Sequence, residues 1–178
     1  MGPGDRCGEC AFAYDLDGAE SAGDEILAGC VELAGVLSAV GVDARTRRRP
    51  DVWSPLEYAC HVRDVLLVQR ERVLRARQRD RPSFDPMGRD ERVAYDGYAD
   101  QDPVAVARQL GDAALLFANV LRRIPSPELE RTVMYNYPAR FERSLRWVAV
   151  HTAHEVQHHR LDVRRQMRGD KPRRQLHS

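Results

Sequence analysis

The segment Trp53-Ser54-Pro55-Leu56-Glu57 is the strongest structural signal in this chain. Ser54 is placed to cap a helix, Pro55 suits its first turn, and Glu57, three residues after Ser54, closes a capping box. From Leu56 to Arg79 there is neither proline nor glycine, and Leu56, Ala59, Cys60, Val62, Val65, Leu66, Val68, Val73 and Leu74 recur at helical spacing. The spacing predicts a long amphipathic helix with an arginine-rich outer face. Such a helix needs other helices to cover its apolar stripe, and the chain supplies them. Leucine, valine and isoleucine repeat at three and four from Asp24 to Val40, with Gly41 as terminator. Asp102-Pro103 repeats the cap-then-proline signal and opens a run that reaches Ile124, stopped by Pro125 and Pro127. A last helix is expected from Arg143 or Ser144 to about Met167, ending before Gly169 and Pro172. Strand signals are few, so the fold class is all-α, a four-helix bundle. Its connections from Asp80 to Gln101 and from Pro125 to Glu142 are long for bundle loops and contain Phe84, Tyr95, Tyr98, Tyr135 and Tyr137, residues suited to walling a pocket or covering the bundle end.

At 178 residues, 43% hydrophobic and 31% charged, the chain can bury one domain core but not two. It divides into an extension at 1–18, the bundle at 19–168 and a basic tail at 169–178 expected to be disordered. Lys and Arg number 28 against 27 Asp and Glu, so no global field draws in nucleic acid or anionic lipid. The short basic clusters Arg45 to Arg49 and Lys171 to Arg174 read as solvated faces, because acidic residues surround them. No apolar run approaches the roughly 20 residues that span a bilayer, and the N-terminus lacks a signal-peptide layout, so a cytoplasmic location is expected. Four cysteines are a thin disulfide framework for this length; Cys30 and Cys60, in apolar helical contexts, read as buried thiols. Cys7-Gly8-Glu9-Cys10, followed by Phe12 and Tyr14, reads as one knuckle of a zinc ribbon with its second half missing. A metal there needs histidines or another subunit; the rival readings are a redox pair and an inert extension.

Four of the six histidines fall in one stretch, His151-Thr152-Ala153-His154-Glu155-Val156-Gln157-His158-His159. On a helix His154 and His158 are i and i+4 and project from one face, half of a metal site. Imidazole suits zinc, nickel, copper and iron, and a catalytic site adds a third ligand while leaving positions open. His61, in the second helix, is the third candidate; alone it reads as a core histidine, but opposite His-x3-His in a bundle it becomes a ligand. His151 shares the face of His154 and His158. His159 is rotated by about 100° and is expected to be exposed.

Trp53 to Val65, Tyr98-Ala99-Asp100-Gln101-Asp102-Pro103 and His154 to Val163 closely resemble the DinB/YfiT-like superfamily, especially its actinobacterial branch, and the resemblance covers residues 24 to 167. It implies an up-down-down-up four-helix bundle of the DinB-like type. It also implies a divalent metal held by one histidine of the second helix and a His-x3-His pair of the last, here His61, His154 and His158. It implies neither DNA binding nor polymerase activity. Relatives include thiol S-transferases using mycothiol or bacillithiol, a mycothiol-dependent isomerase, hydrolases and metal domains of sulfoxide synthases.

The expectation drawn from this resemblance is a metal-dependent S-transferase, with zinc foremost and nickel or iron as alternatives. A mycothiol-type thiol serves as cosubstrate and a small electrophile as substrate, with neither nucleic acid nor membrane as partner. The rival readings are a hydrolase, isomerase or cyclase of a biosynthetic or detoxification pathway, and a non-catalytic ligand-binding protein. Glu57 and Asp64, one turn either side of His61, are placed to orient a ligand ring, with surface ion pairs as the alternative. Tyr137, Arg140 and Arg143 are placed to receive a carboxylate or sugar of the thiol, with a solvated loop as the alternative. A homodimer is expected from the habits of helix bundles.

Overall fold

The computed structural model describes residues 4–136 and 139–168. Four long helices form the bundle: α1 (Ala22–Ser38), α2 (Pro55–Gln78), α4 (Pro103–Leu121) and α5 (Leu145–Arg168). The start of α2 is as the sequence predicts: Ser54 Oγ accepts from the Glu57 backbone N–H at 3.2 Å, and Glu57 Oε2 accepts from the Ser54 N–H at 2.8 Å. Asp102 caps α4 by accepting from the Ala105 N–H at 2.8 Å. Ser144 begins α5, its hydroxyl accepting from the Trp147 N–H.

Around the bundle, α1 packs on α4 and α5, and α2 packs on the same two helices, so α1 and α2 face each other across a diagonal. The core between them includes Ile26, Leu33, Leu56, Leu66, Leu110, Phe117 and Val148, all buried. Among the described helices α4 alone has the length and composition to cross a membrane. Its buried residues Val106, Leu110, Ala113 and Phe117 belong to the bundle core.

The long connections are not irregular throughout, which corrects the all-α expectation. The first carries β1 (Ser83–Phe84) and the short α3 (Arg89–Tyr95); the second carries β2 (Thr132–Asn136) and β3 (Arg140–Ser144). β2 pairs with β3 antiparallel, Thr132 opposite Ser144, and with β1 in parallel, Ser83 opposite Met134. The two loops thereby form a three-stranded sheet. Tyr135 turns inward from it and accepts a hydrogen bond from Gln69 Nε2 at 2.8 Å. Tyr98 is fully buried and donates to Asp64 at 2.8 Å, whereas Tyr95 is exposed.

The N-terminal segment is also built in. Residues 4–14 form a tight hairpin in which Cys7 N–H donates to Phe12 O, Tyr14 N–H to Asp5 O, and Arg6 bridges Ala13. Tyr14 is buried and stacks on Trp147 of α5. The arginines at 45–49 are largely tied down: Arg45 donates to Ala99 O, Arg47 to Glu57 and Arg49 to Asp51. The basic tail lies outside the described residues.

α1 and α5 approach closely at Gly29, where an added Cβ would stand 2.5 Å from Val156 Cγ1. A β-branched side chain has no flexible end to move aside. Gly29→Ala is therefore expected to lower stability by about 1–3 kcal/mol, whereas Gly35→Ala, on the exposed face of α1 with nothing within 4 Å, should raise it by about 0.5–1 kcal/mol. Urea denaturation of the two variants checks both signs.

Candidate functional site

α5 carries two pairs of side chains able to ligate a metal, offset by one residue. Glu155 and His159, i and i+4, meet His61 of α2, and the three offer ligand atoms that all lie within 4.8 Å of one another. His61 and His159 pack edge to face with ring centroids 4.9 Å apart. Trp53 lies 5.2 Å from the His61 ring and Tyr58 5.3 Å from the His159 ring, so aromatic groups enclose the set. His61 is 2% exposed, and its Nδ1 is buried with no hydrogen-bond partner. Burial, reinforced by the neighbouring His159, pushes the His61 imidazole down to about 3. It therefore stays neutral, with a lone pair available, across the physiological range.

The other two members are held by charge. His159 Nδ1 lies 3.1 Å from Asp162 Oδ2, which fixes that nitrogen as the donor and leaves Nε2 free, 3.8 Å from Glu155 Oε2. Burial alone would raise the Glu155 carboxyl, but the imidazoles of His154, His151 and His159 hold it well below the usual carboxylate range. Two imidazoles and one carboxylate suit a divalent cation and would leave it coordination positions for a reactant.

The second pair, His154 and His158, faces the N-terminal hairpin. Their ligand atoms and those of Cys7 and Cys10 also lie within 4.8 Å of one another. Tyr14 Oη stands 2.9 Å from His154 Nδ1 and 2.9 Å from His151 Nδ1, and His151 stacks on Trp147 at 4.3 Å. Burial works against charge on His154 and His158, yet the Cys10 sulfur beside them pushes the two up to about 10 and about 9. Burial likewise opposes ionisation of Cys10, but the same two imidazoles draw it down to about 5.

A model of the DinB superfamily matches residues 32–163. The chain belongs to the DinB superfamily. Among solved structures it is similar to YfiT from Bacillus subtilis, described as a probable metal-dependent hydrolase with an unusual four-helix bundle topology. The similarity has a TM-score of 0.70 and 14% identity, and it covers 88% of this chain and 89% of that one. A search of the curated proteins finds no match.

On this DinB fold, the three ligands expected from the sequence do not form one group among the described residues: His61 meets Glu155 and His159, while His154 and His158 meet the cysteines. The expected His159 exposure is also corrected, since it is buried at 8%. The error has a geometric cause. α5 is covered by α1, by α2 and by the hairpin, so it has no single apolar stripe from which to read which histidines face α2.

Neither carboxylate expected to orient His61 does so. Glu57 is held by Arg47 and the Ser54 N–H, and Asp64 by Arg63, Arg92 and Tyr98. Asp162, not singled out in the sequence, is the carboxylate that contacts the His159 ring. Its signal was the i, i+3 spacing to His159. Arg140 is exposed on β3, Arg143 lies over the Phe141 and Trp147 rings near His151, and Tyr137 lies outside the described residues. Arg89 stands over the Trp53 ring at 5.5 Å, and the charges of Arg89 and Arg92 reach His61. Arg92 also lines a groove of about 490 Å³ with Asp64, Val68, Arg72, Phe84 and Met87.

Asp64 is the buried carboxyl group between Arg63, at 2.8 Å, and Arg92, at 3.2 Å, and belongs to neither cluster. Asp64→Asn should lower stability by about 3 kcal/mol, by denaturant titration, while metal content measured on the same preparation is unchanged. A selective loss of metal would instead return Asp64 to the role expected from the sequence.

Proposed function

We propose that this protein is a metal-dependent enzyme with its centre at His61, Glu155 and His159, and that it transfers a low-molecular-weight thiol of the mycothiol type to a small electrophile. One observation carries the metal centre: two imidazoles and a carboxylate converge in a buried site, and His61 Nδ1 has no partner there. A buried polar atom left unpaired costs about 1–3 kcal/mol, and a divalent cation is the partner this donor set suits. Zinc fits two histidines and a glutamate; nickel and iron accept the same donors.

When bound, such a cation supplies a Lewis acid that ionises a thiol or water near neutral pH. The protein's own residues do the rest. His61 presents a neutral nitrogen, Asp162 holds the His159 ring in one tautomer, and Glu155 lowers the net charge of the centre by one. Trp53 and Tyr58 exclude water from the ligand rings. The groove beside Arg92 has the volume of a small-molecule site, and Arg89 and Arg92 offer positive charge to an anionic group on either reactant. In the transfer the thiol gives up its proton to solvent water, sulfur bonds to the electrophilic carbon, and the leaving group departs with the pair of the bond that breaks.

Hydrolysis is the second reading, favoured by the description of the YfiT structure and by a donor set that serves water as readily as a thiol. His61→Ala and His159→Ala should each lose the metal of this centre and lower turnover of a model electrophile at least about 100-fold. Asp162→Asn should weaken metal affinity about 10–100-fold. Turnover that needs no thiol moves the assignment to a hydrolase. Metal bound without any turnover moves it to a ligand-binding protein, and turnover that survives His61→Ala defeats the centre itself.

A further inference from the structure

The other donor set, Cys7, Cys10, His154 and His158, is separate from this centre, and its cysteines precede the region matched to the family. The spacings Cys-x2-Cys and His-x3-His are those of Cys2His2 zinc sites, here divided between the two ends of the chain. Cys7 Sγ lies 3.6 Å from His158 Nδ1. With zinc bonds of about 2.3 Å to sulfur and 2.0 Å to nitrogen, a tetrahedron has edges of about 3.3–3.8 Å, so this separation is already that of two ligands on one ion.

The surroundings of each donor are those of a metal ligand. The backbone N–H groups of Glu9 and Cys10 donate to Cys7 Sγ, and that of Phe12 donates to Cys10 Sγ. Amides arranged in this way stabilise two thiolates on a tight turn, and Ala11 takes the left-handed conformation, φ 59°, that the turn requires. His154 is 4% exposed; Tyr14 occupies its Nδ1, and its Nε2 is buried without a hydrogen-bond partner. His158 points Nδ1 at Cys7 and Nε2 towards Glu9 and Asp162, at 3.6 and 3.7 Å. In His158 a carboxylate thus lies at one nitrogen while the other faces Cys7, and in His154 Tyr14 holds one nitrogen and leaves the other unpaired.

We infer that Cys7, Cys10, His154 and His158 form a structural zinc site, closed by four protein ligands, that fastens the N-terminal hairpin onto α5. Two thiolates neutralise the dication, and two imidazoles complete the tetrahedron, leaving no position for a reactant. Such a site would add to the hold that Tyr14 already gives the hairpin on α5, since two short arms with a single isolated bridge between them are marginal in water on their own.

The test uses the intact protein loaded with cobalt(II) in place of zinc. The expected spectrum has a near-ultraviolet thiolate-to-cobalt charge-transfer band and the intense visible bands of tetrahedral cobalt. The band should vanish in Cys7→Ser and Cys10→Ser and persist in His61→Ala, so failure of this site and failure of the proposed catalytic centre are separable. On the zinc-loaded wild type, alkylation followed by peptide mapping should show Cys7 and Cys10 at least tenfold slower to react than after treatment with a strong chelator. This second measurement needs no variant to fold. A cobalt spectrum without the thiolate band, or equal alkylation of both cysteines with and without chelator, overturns the inference.

Discussion

An α-helix turns about 100° per residue, and α5 makes that single step decisive. Its two i, i+4 pairs differ by one position, yet 155 and 159 look toward α2 while 154 and 158 look toward the N-terminal hairpin. Everything else at the site depends on α5 being fixed in rotation about its own axis. The close contact of Val156 with Gly29 sets it against α1, and Gln166 donates to the Trp53 carbonyl beside the start of α2. Tyr14 bonds to two successive histidines on the hairpin side. A rotation by one residue would exchange the donor sets and leave a carboxylate facing two cysteines.

The two sets also share their anions. Asp162 lies against both His158 and His159, and Glu155 against His151, His154 and His159. Each carboxylate therefore sits between imidazoles of the two clusters. A change in charge at one site is felt at the other through a carboxylate common to both, across a spacing comparable to a few hydrogen bonds.

Much of the bundle could be read from the sequence because its signals are local. The Ser54–Glu57 box, the Asp102-Pro103 cap and the absence of breakers across α2 mark helix boundaries without reference to the rest of the chain. The small sheet could not be read this way: β1 is two residues long, and its parallel pairing with β2 is non-local. At the candidate site, the sequence pointed to α2 and α5, to His61 and to the half-knuckle at Cys7 and Cys10, each of which falls in a cluster of potential ligands. It grouped His61 with His154 and His158, whereas the structure sets His61 beside Glu155 and His159; the two pairs have the same spacing, and only the packing of α5 between three neighbours separates them. The same packing turned His159 from an expected surface residue into a buried one. Glu57 and Asp64 were misread for a different reason: their partners Arg47, Arg92 and Tyr98 arrive from loops whose course no local signal reveals.

The hairpin at 4–14 and the helix it rests on are almost a chain length apart, with Cys7 and His158 separated by 151 positions. During synthesis Cys7 and Cys10 emerge well before His154 and His158, so the hairpin waits while the bundle between them is made. Closing so long a loop from the unfolded chain is entropically expensive, but once α1, α2 and α4 have assembled, α5 brings its histidines to the hairpin as it docks. With the proposed zinc site the hairpin would act as a latch on the completed fold, and until α5 docks its two thiols stay open to oxidation.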